Sequence, residues 1–249
     1  MAPDAAADRR ASNGSVSPLP DTAAGLDAYY ADAPAGVRAN MVQSIDGAGA
    51  FHGRTKAITD PADQLLLKHL RGHSDAVLVG GATVQAEKYG PVRLDDDVRR
   101  QRTEAGYAAT PPLVVVTARA MLPKDLRIFD PDEPRPIIAT LATAREQAEQ
   151  LSDVADVLIV GEDDLDARRL VKALHERGLP RVLCEGGPFL LSQLIEADLI
   201  DDMCLTVSPY LAGSQPTTPQ PPSAREQPTQ LRLRHVLSHH DLLYLRYSR

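Results

Sequence analysis

The sequence of 249 residues has no tryptophan, few aromatic residues and only two cysteines, Cys184 and Cys204. Two cysteines are too few for a disulfide framework. Cys184 lies in an apolar, strand-like run, which is typical of a buried and unreactive thiol. The cysteines form no Cys-x-x-Cys pair, and we identify no zinc-binding pattern among the histidines. We therefore predict no metal site.

Long apolar runs and an excess of positive charge are also missing. No segment approaches the roughly 18 consecutive apolar residues of a membrane-spanning helix, so no membrane partner is expected. The net charge of −7 argues against a nucleic-acid partner, because phosphate recognition needs a clustered basic face. The residues after Arg9 and Arg10 lack the apolar core of a signal peptide. We expect a small-molecule partner and a cytoplasmic location.

Short apolar or β-branched runs alternate with helical patterns along most of the chain, at residues 37–42, 76–79, 113–117, 136–140, 157–160, 181–185 and 203–207. Repetition of strand, helix and strand is typical of a largely parallel sheet that is covered on both faces. We therefore predict an α/β fold with a mostly parallel central sheet and helices on both faces. Residues 26–249 are expected to form one domain, after a flexible tail over residues 1–25 whose composition offers little apolar surface to bury.

Local signals mark the ends of several elements. Asp60 followed by Pro61 predicts the start of one helix, and a second helix is predicted over residues 166–177, with Gly178 as its end. The charged residues 94–101 are interpreted as an exposed excursion, and the Pro- and Gln-rich residues 214–230 as a surface loop. Alternating residues at 231–237 and 242–247 predict a C-terminal antiparallel hairpin at one edge of the sheet.

Two predicted strands end in a pair of glycines, and a helix follows each pair. Gly80 and Gly81 form the first pair, and Gly186 and Gly187 form the second. Unpaired backbone N–H groups at a helix N-terminus favour an anion, and glycine lets a phosphate approach closely. One such pair is more often a tight turn, but two pairs at one edge suit a dinucleotide. Neither matches the Gly-x-Gly-x-x-Gly fingerprint or the P-loop pattern.

A third strand end favours one kind of dinucleotide. Thr117 ends the strand at residues 113–117, and Arg119 follows it. Open α/β sheets bind their ligands at the carboxyl ends of their strands. A guanidinium pairs well with a phosphate, so the hypothesis is the 2′-phosphate of NADPH. The alternative is that Arg119 is a solvated surface charge. A Rossmann-type methyltransferase is disfavoured, because it would need an acidic residue at a strand end of this kind.

An ordered set of motifs resembles the riboflavin-biosynthesis pyrimidine reductase family, which is the reductase half of bifunctional deaminase-reductases. The match runs in collinear order from about residue 37 to the C-terminus. Its motifs are Asn40-Met41-Val42-Gln43-Ser44-Ile45-Asp46-Gly47, Lys56-Ala57-Ile58-Thr59, Val79-Gly80-Gly81-Ala82-Thr83-Val84, Glu185-Gly186-Gly187-Pro188 and Ser208-Pro209-Tyr210-Leu211-Ala212-Gly213.

The resemblance implies a dihydrofolate-reductase-like fold and a homodimer. The implied reaction is NADPH-dependent reduction of the ribosyl group of 5-amino-6-(5-phosphoribosylamino)uracil to a ribityl chain. The deaminase zinc signature is absent, so only the reduction is expected. The positions implied to contact the cofactor are Thr59, Asp63, Gly80, Gly81, Thr83, Thr117, Arg119, Glu185, Gly186, Gly187, Pro188, Phe189 and Leu190. Thr59 and Asp63 flank a helix start, so either of them could also cap that helix.

The candidates on the substrate side are Asn40, Ser44, Asp46, Lys56 and Arg93. Ser44 and Asp46 follow the first strand and are expected to hydrogen-bond the substrate, although Asp46 could equally be the Asp of an Asp-Gly turn. Lys56 and Arg93 are candidates for a phosphate contact, or else solvated charges.

Two residues are candidates for catalysis. Glu185 ends an apolar strand, where desolvation would raise its pKa and suit it to donate a proton or to orient a ligand. Asp46 is the second candidate.

Three stretches depart from the family pattern on its substrate side. Asn40 occupies the place of a usual lysine, Ala57 that of a usual tryptophan, and residues 87–89 that of a typical Asp-Asp-Pro. A pterin such as dihydrofolate is therefore an alternative substrate. A dinucleotide-binding module without turnover is a further alternative.

Overall fold

A ten-stranded sheet forms the centre of the protein in the computed structural model, which describes residues 16–213, 215–217 and 223–249. Its order is β1-β9-β10-β8-β2-β7-β3-β4-β5-β6, and neighbouring strands from β8 to β6 run parallel. The strands are β1 Ser17–Pro18, β2 Val37–Ser44, β3 Ala76–Gly80, β4 Leu113–Val116, β5 Ile137–Thr140, β6 Asp156–Ile159, β7 Val182–Cys184, β8 Ile200–Ser208, β9 Arg232–His239 and β10 Leu242–Ser248. The antiparallel pair β9 and β10 is the predicted C-terminal hairpin, so the predicted sheet is confirmed.

Helices cover both faces of the sheet, as predicted. Apolar residues of α6 and α7 pack with Cys184 on one face, while those of α1 and α2 pack with Leu183 on the other. The helices are α1 Ala23–Tyr30, α2 Pro61–Gly72, α3 Gly81–Ala86, α4 Asp96–Glu104, α5 Arg145–Glu149, α6 Ala167–Glu176 and α7 Pro188–Glu196. No helix in the described part of the chain is long and apolar enough to cross a membrane. Both cysteines are free and buried, and burial raises the pKa of each thiol to about 12, which agrees with the predicted inert thiol at Cys184.

The predicted helix starts are confirmed by their caps. The carboxylate of Asp60 accepts a hydrogen bond of 2.8 Å from the backbone N–H of Asp63, and Pro61 occupies the first turn of α2. The carboxylate of Asp166 accepts a bond of 2.9 Å from the N–H of Arg169 at the start of α6. Because each cap satisfies a backbone donor that the helix leaves unpaired, local sequence was sufficient to locate both helices.

The prediction of a flexible tail over residues 1–25 does not hold for residues 16–25. Residues 1–15 lie outside the described residues, but residues 16–25 contain β1 and the start of α1. β1 pairs in parallel with β9, and Leu19 and Leu26 are buried in the core. The prediction was wrong for residues 16–25 because a polar composition concealed a few well-placed apolar side chains and a sheet edge that supplies hydrogen bonds.

The charged segment at residues 94–101 is largely exposed, but it belongs to a helix rather than an irregular excursion. Arg102 near the end of α4 is buried, and its guanidinium donates hydrogen bonds of 2.7 to 2.9 Å to the carbonyl oxygens of Gly72, Ser74 and Ala108. A single arginine therefore fastens α4 to the end of α2. The charge pattern concealed this because a buried arginine and a solvated one look alike in sequence.

The predicted surface loop at residues 214–230 is irregular where it is described, but part of it packs on the domain. Its residues 214 and 218–222 lie outside the described residues. The backbone N–H of Gly49 donates a hydrogen bond of 2.7 Å to the carbonyl of Gln215, and Thr217 approaches Gln43. Residues 215–217 therefore cover the turn that follows β2.

Three buried charges tie the antiparallel edge to the parallel sheet. Asp202 on β8 accepts hydrogen bonds from Arg38 on β2 and from Arg246 on β10, and all three side chains are at least nine-tenths buried. Burial acts to lower the pKa of Arg246, but its hydrogen bonds to Asp202 and Asp32 outweigh burial and hold the pKa above its ordinary value. The guanidinium of Arg246 therefore remains charged beside Asp202.

We expect Asp202→Ala to lower the free energy of unfolding by about 3–5 kcal/mol, because it leaves two buried cations without their carboxylate. Urea unfolding followed by circular dichroism measures the change. Asp97→Ala is the matched control, because it removes an exposed carboxylate paired with Arg100 and should change stability little. Equal midpoints for both variants would contradict a structural role for the cluster.

Candidate functional site

A cavity of about 450 Å³ opens beyond the carboxyl ends of β3 and β7 and beside the middle of β2. Part of its wall consists of predicted site residues, namely Asn40, Asp63, Thr83, Glu185, Gly186, Gly187 and Pro188. The structure adds residues that the sequence did not single out as contacts, among them Met41, Gln64, Leu67, Glu87, Tyr89 and Thr217. The cavity therefore unites the predicted cofactor turn with one predicted substrate residue, Asn40.

The two glycine pairs meet at this cavity. The N–H of Gly80 donates a hydrogen bond of 2.9 Å to the carbonyl of Gly186. A Cβ atom on Gly187 would lie 3.2 Å from the Cα of Gly80 and 3.2 Å from Oγ1 of Thr83. Gly186 and Gly187 also have φ angles of +92° and +77°, which other residues rarely adopt. Both the contact and the backbone conformation therefore require glycine in the second pair.

The side chain of Glu185 lies beneath the second glycine pair and is only 2% exposed. Its two carboxylate oxygens accept hydrogen bonds of 2.6 and 2.7 Å from Arg71, and one of them accepts a bond of 2.9 Å from the hydroxyl of Tyr89. Burial acts to lower the pKa of Arg71, but the charge of Glu185 and its hydrogen bonds hold that pKa above its usual range. Burial, followed by the charge of Glu185, raises the pKa of Tyr89 well above its ordinary value.

Three donors therefore surround the carboxyl group of Glu185. The two roles predicted for Glu185, to donate a proton or to orient a ligand, stay predictions. By holding Arg71 and Tyr89, Glu185 anchors the turn that follows β7. Arg71 was not predicted as a site residue, because it is 114 residues from Glu185 and resembles an ordinary basic residue in the last turn of a helix.

Two polar side chains in the wall of the cavity differ in their hydrogen bonding. The Oδ1 atom of Asn40 is buried and has no hydrogen-bond partner among the described residues. Asp63 is buried and accepts hydrogen bonds from Thr59 and Thr206. Burial raises the pKa of Asp63, although these two bonds oppose the rise. The Oδ1 atom of Asn40 is thus an unpaired acceptor among the described residues, whereas both oxygens of Asp63 are already in use within the protein.

The structure places Ser44 and Asp46 outside the wall of the cavity. The carboxylate of Asp46 accepts hydrogen bonds from the hydroxyl of Ser44 and from the backbone N–H groups of Ala212 and Gly213, at 3.1 and 2.8 Å for the latter two. The bond from Ser44, followed by the two backbone bonds, lowers the pKa of Asp46 to about 2. Asp46 therefore joins the turn after β2 to the segment after β8, and its Asp-Gly turn is present, with Gly47 at a φ of +86°.

The predicted phosphate candidates Lys56 and Arg93 do not line the cavity. Both are exposed, and Arg93 approaches Asp130 at 3.4 Å and Glu133 at 3.6 Å. The predicted alternative of a solvated charge describes their placement in this structure.

The remaining cofactor candidates lie beside the first glycine pair or at the start of α7. A Cβ atom on Gly81 would lie 3.1 Å from the Cβ of Thr117, so the end of β4 adjoins the first glycine pair. Arg119 is exposed two residues further on. Phe189 is 74% exposed, whereas the side chain of Leu190 is buried in the core. Leu190 can therefore contact a cofactor only through its backbone.

Comparisons with known proteins identify the family. The model of the RibD C-terminal domain matches residues 35–241. The 2,5-diamino-6-ribosylamino-4(3H)-pyrimidinone 5′-phosphate reductase of Archaeoglobus fulgidus is 31% identical over 178 residues, which are 71% of this chain and 81% of the relative. The enzyme of the same name from Methanothermobacter thermautotrophicus is 26% identical over 176 residues, covering 71% of this chain and 78% of the relative.

A solved structure extends this agreement to the fold. The crystal structure of a pyrimidine reductase-like protein from Corynebacterium diphtheriae is 27% identical, superimposes with a TM-score of 0.78, and covers 86% of this chain and 91% of that one. The predicted resemblance to the riboflavin-biosynthesis pyrimidine reductases and the predicted α/β fold are therefore confirmed. The chain belongs to the RibD C-terminal domain family, and it is a reductase.

Proposed function

We propose that the protein uses NADPH to reduce the ribosyl group of a ribosylaminopyrimidine 5′-phosphate to a ribityl chain, in riboflavin biosynthesis. One observation carries the proposal. The ends of the adjacent parallel strands β7, β3 and β4 bear, in that order, the second glycine pair, the first glycine pair, and Thr117 with Arg119. This row runs from the cavity to an exposed guanidinium, as an extended dinucleotide with a terminal phosphate requires.

The residues present fit such a cofactor. The close contact between Gly80 and Gly187 brings the two glycine turns together, and Thr83 places a hydroxyl beside them. Unpaired N–H groups at the start of α7 can meet the pyrophosphate. When bound, the nicotinamide supplies the hydride; the protein binds, orients and excludes water.

The cavity suits the substrate half of the reaction. The unpaired acceptor of Asn40 can receive a hydrogen bond from an amino group of the pyrimidine, and a group that satisfied it would remove the penalty of a buried, unpaired oxygen. The expected substrate is 5-amino-6-(5-phosphoribosylamino)uracil. The relatives from Archaeoglobus and Methanothermobacter are named for the 2,5-diaminopyrimidinone form, which has an amino group where the uracil has a carbonyl. We propose the uracil as the substrate and the diamino form as the alternative substrate for the same site.

Two alternatives follow from residues that depart from the family pattern. Asn40, Glu87 and Tyr89 line the cavity, so the departures lie where a substrate would bind. A pterin such as dihydrofolate is the alternative substrate, and a dinucleotide-binding module without turnover is the alternative function. The homodimer and the cytoplasmic location predicted from the sequence remain part of this proposal.

We expect Arg119→Ala to weaken NADPH binding about tenfold to a hundredfold while leaving NADH binding nearly unchanged, because a charge-assisted hydrogen bond to the 2′-phosphate contributes about 1.5–3 kcal/mol. Quenching of cofactor fluorescence on titration measures both affinities. Arg168→Ala, which removes an exposed arginine on α6, is the control. An unaltered ratio of NADPH to NADH affinity would exclude Arg119 from the site.

We expect Glu185→Gln to lower the free energy of unfolding by about 3 kcal/mol and to weaken NADPH binding, because Arg71 loses its buried partner and the glycine turn loses its anchor. Tyr89→Phe is the control, since it removes one hydrogen bond to Glu185 and should cost about 1 kcal/mol. Urea unfolding and cofactor titration measure the two effects. Loss of one limb of the pH-rate profile at unchanged cofactor affinity would instead identify Glu185 as a proton donor.

Loss of NADPH absorbance tests the substrate. We expect turnover with the ribosylaminopyrimidine phosphates and none with dihydrofolate, with Asn40→Leu lowering kcat/KM because the variant removes the acceptor. Turnover of dihydrofolate alone would replace the pyrimidine by a pterin. Binding of NADPH without turnover of any of the three compounds would leave the dinucleotide-binding module.

A further inference from the structure

A second cluster of polar side chains lies where the end of α2 meets α1, outside the cavity described above. His69 is in the last turn of α2, His73 is its C-terminal cap, and Asp27 is on α1. The Nε2 atom of His73 is 2.9 Å and that of His69 is 3.4 Å from Oδ1 of Asp27. The two histidines are four residues apart, a spacing that places both rings on one helix face and that our sequence analysis overlooked.

Hydrogen bonding accounts for only part of this cluster. The 2.9 Å contact between His73 and Asp27 is a good hydrogen bond. The ring of His69 is only 7% exposed, and its Nε2 atom has no hydrogen-bond partner among the described residues, because the approach to Asp27 lacks hydrogen-bond geometry. The Nε2 atom of His69 is thus buried, faces a carboxylate and another imidazole, and has no hydrogen-bond partner among the described residues. This unpartnered atom is the feature that points to a ligand.

Both imidazoles are suited to bind a metal ion. Neutral imidazole is the form that coordinates metals. Arg38 near both rings and Arg181 near His73 oppose a further positive charge, and the carboxylate of Asp27 offsets them.

We propose that Asp27, His69 and His73 form a Zn²⁺ site that joins α1 to α2. Zinc bonds of about 2.0–2.2 Å in tetrahedral geometry separate ligand atoms by roughly 3.3 Å, close to the 3.4 Å between His69 and Asp27. A small movement of His73, which is partly exposed, satisfies the third bond. The fourth position faces a cavity of about 290 Å³ that these three residues help to line, where water completes the coordination.

Another group of potential ligands, Asp60, His239 and His240, is less suited to a metal. Oδ1 of Asp60 already accepts hydrogen bonds of 2.8 Å from the N–H of Asp63 and 3.1 Å from the hydroxyl of Tyr244. His240 is exposed. The double variant His239→Ala with His240→Ala therefore serves as the matched control, because it also removes two neighbouring imidazoles.

The test is calorimetric titration of the tag-free, metal-stripped chain with ZnCl₂, together with the visible absorption of Co²⁺ as a probe of coordination. We expect one Zn²⁺ per chain, affinity lowered about tenfold or more in His69→Ala, His73→Ala and Asp27→Asn, and loss of the Co²⁺ bands in the same variants. The control double variant should bind Zn²⁺ like the unaltered protein.

Several outcomes would overturn the site. These are no binding of Zn²⁺ by the unaltered chain, unchanged affinity in the three variants, or loss of binding in the control double variant alone. Asp27→Asn keeps the size of a half-exposed side chain, so it tests the site even where His69→Ala disturbs the core. A thermal midpoint that rises with Zn²⁺ in the unaltered protein, but not in Asp27→Asn, would be a second, independent support.

Discussion

The contact between the backbones of Gly80 and Gly187 is the constraint on which the site depends. A Cβ atom on Gly187 would lie only 3.2 Å from the Cα of Gly80, so the close approach of the two turns favours glycine at position 187. The hydrogen bond from Gly80 to Gly186 then holds the two turns in register. Because β4 lies on the other side of β3, Thr117 packs on Gly81, and the three strand ends form one continuous edge.

A buried ion pair supports this edge of the sheet. Glu185 would be costly to bury alone, and its bond to Arg71 joins the turn after β7 to the end of α2. The hydroxyl of Tyr89 is a further donor to Glu185, and Tyr89 also lines the cavity. One of the residues that departs from the family pattern is therefore connected to the glycine turn. The residue at position 89 therefore also contributes to the support of the glycine turn.

Buried ion pairs also stabilise the other end of the sheet. Asp202 lies between Arg38 and Arg246 and joins β2 and β10 to β8. Arg102 donates hydrogen bonds to the carbonyl oxygens of Gly72 and Ser74 at the end of α2. In each case an arginine from one element donates hydrogen bonds to oxygen atoms of a distant element. Helix α2 connects the cavity, the glycine turn and the cluster of Asp27, His69 and His73.

The sequence itself determined strands β2 to β10 and their order along the chain, the caps at Asp60 and Asp166, the glycine pairs and the family. Each of these depends on local periodicity or on the chemistry of a short motif. Only the tertiary structure decided that Asp46 holds a loop, that Glu185 is paired with Arg71, that Asn40 keeps a free acceptor, and that residues 16–25 join the core. These outcomes depend on contacts between residues far apart in the chain, and a side chain's burial and partners are properties of packing, on which local sequence carries no information.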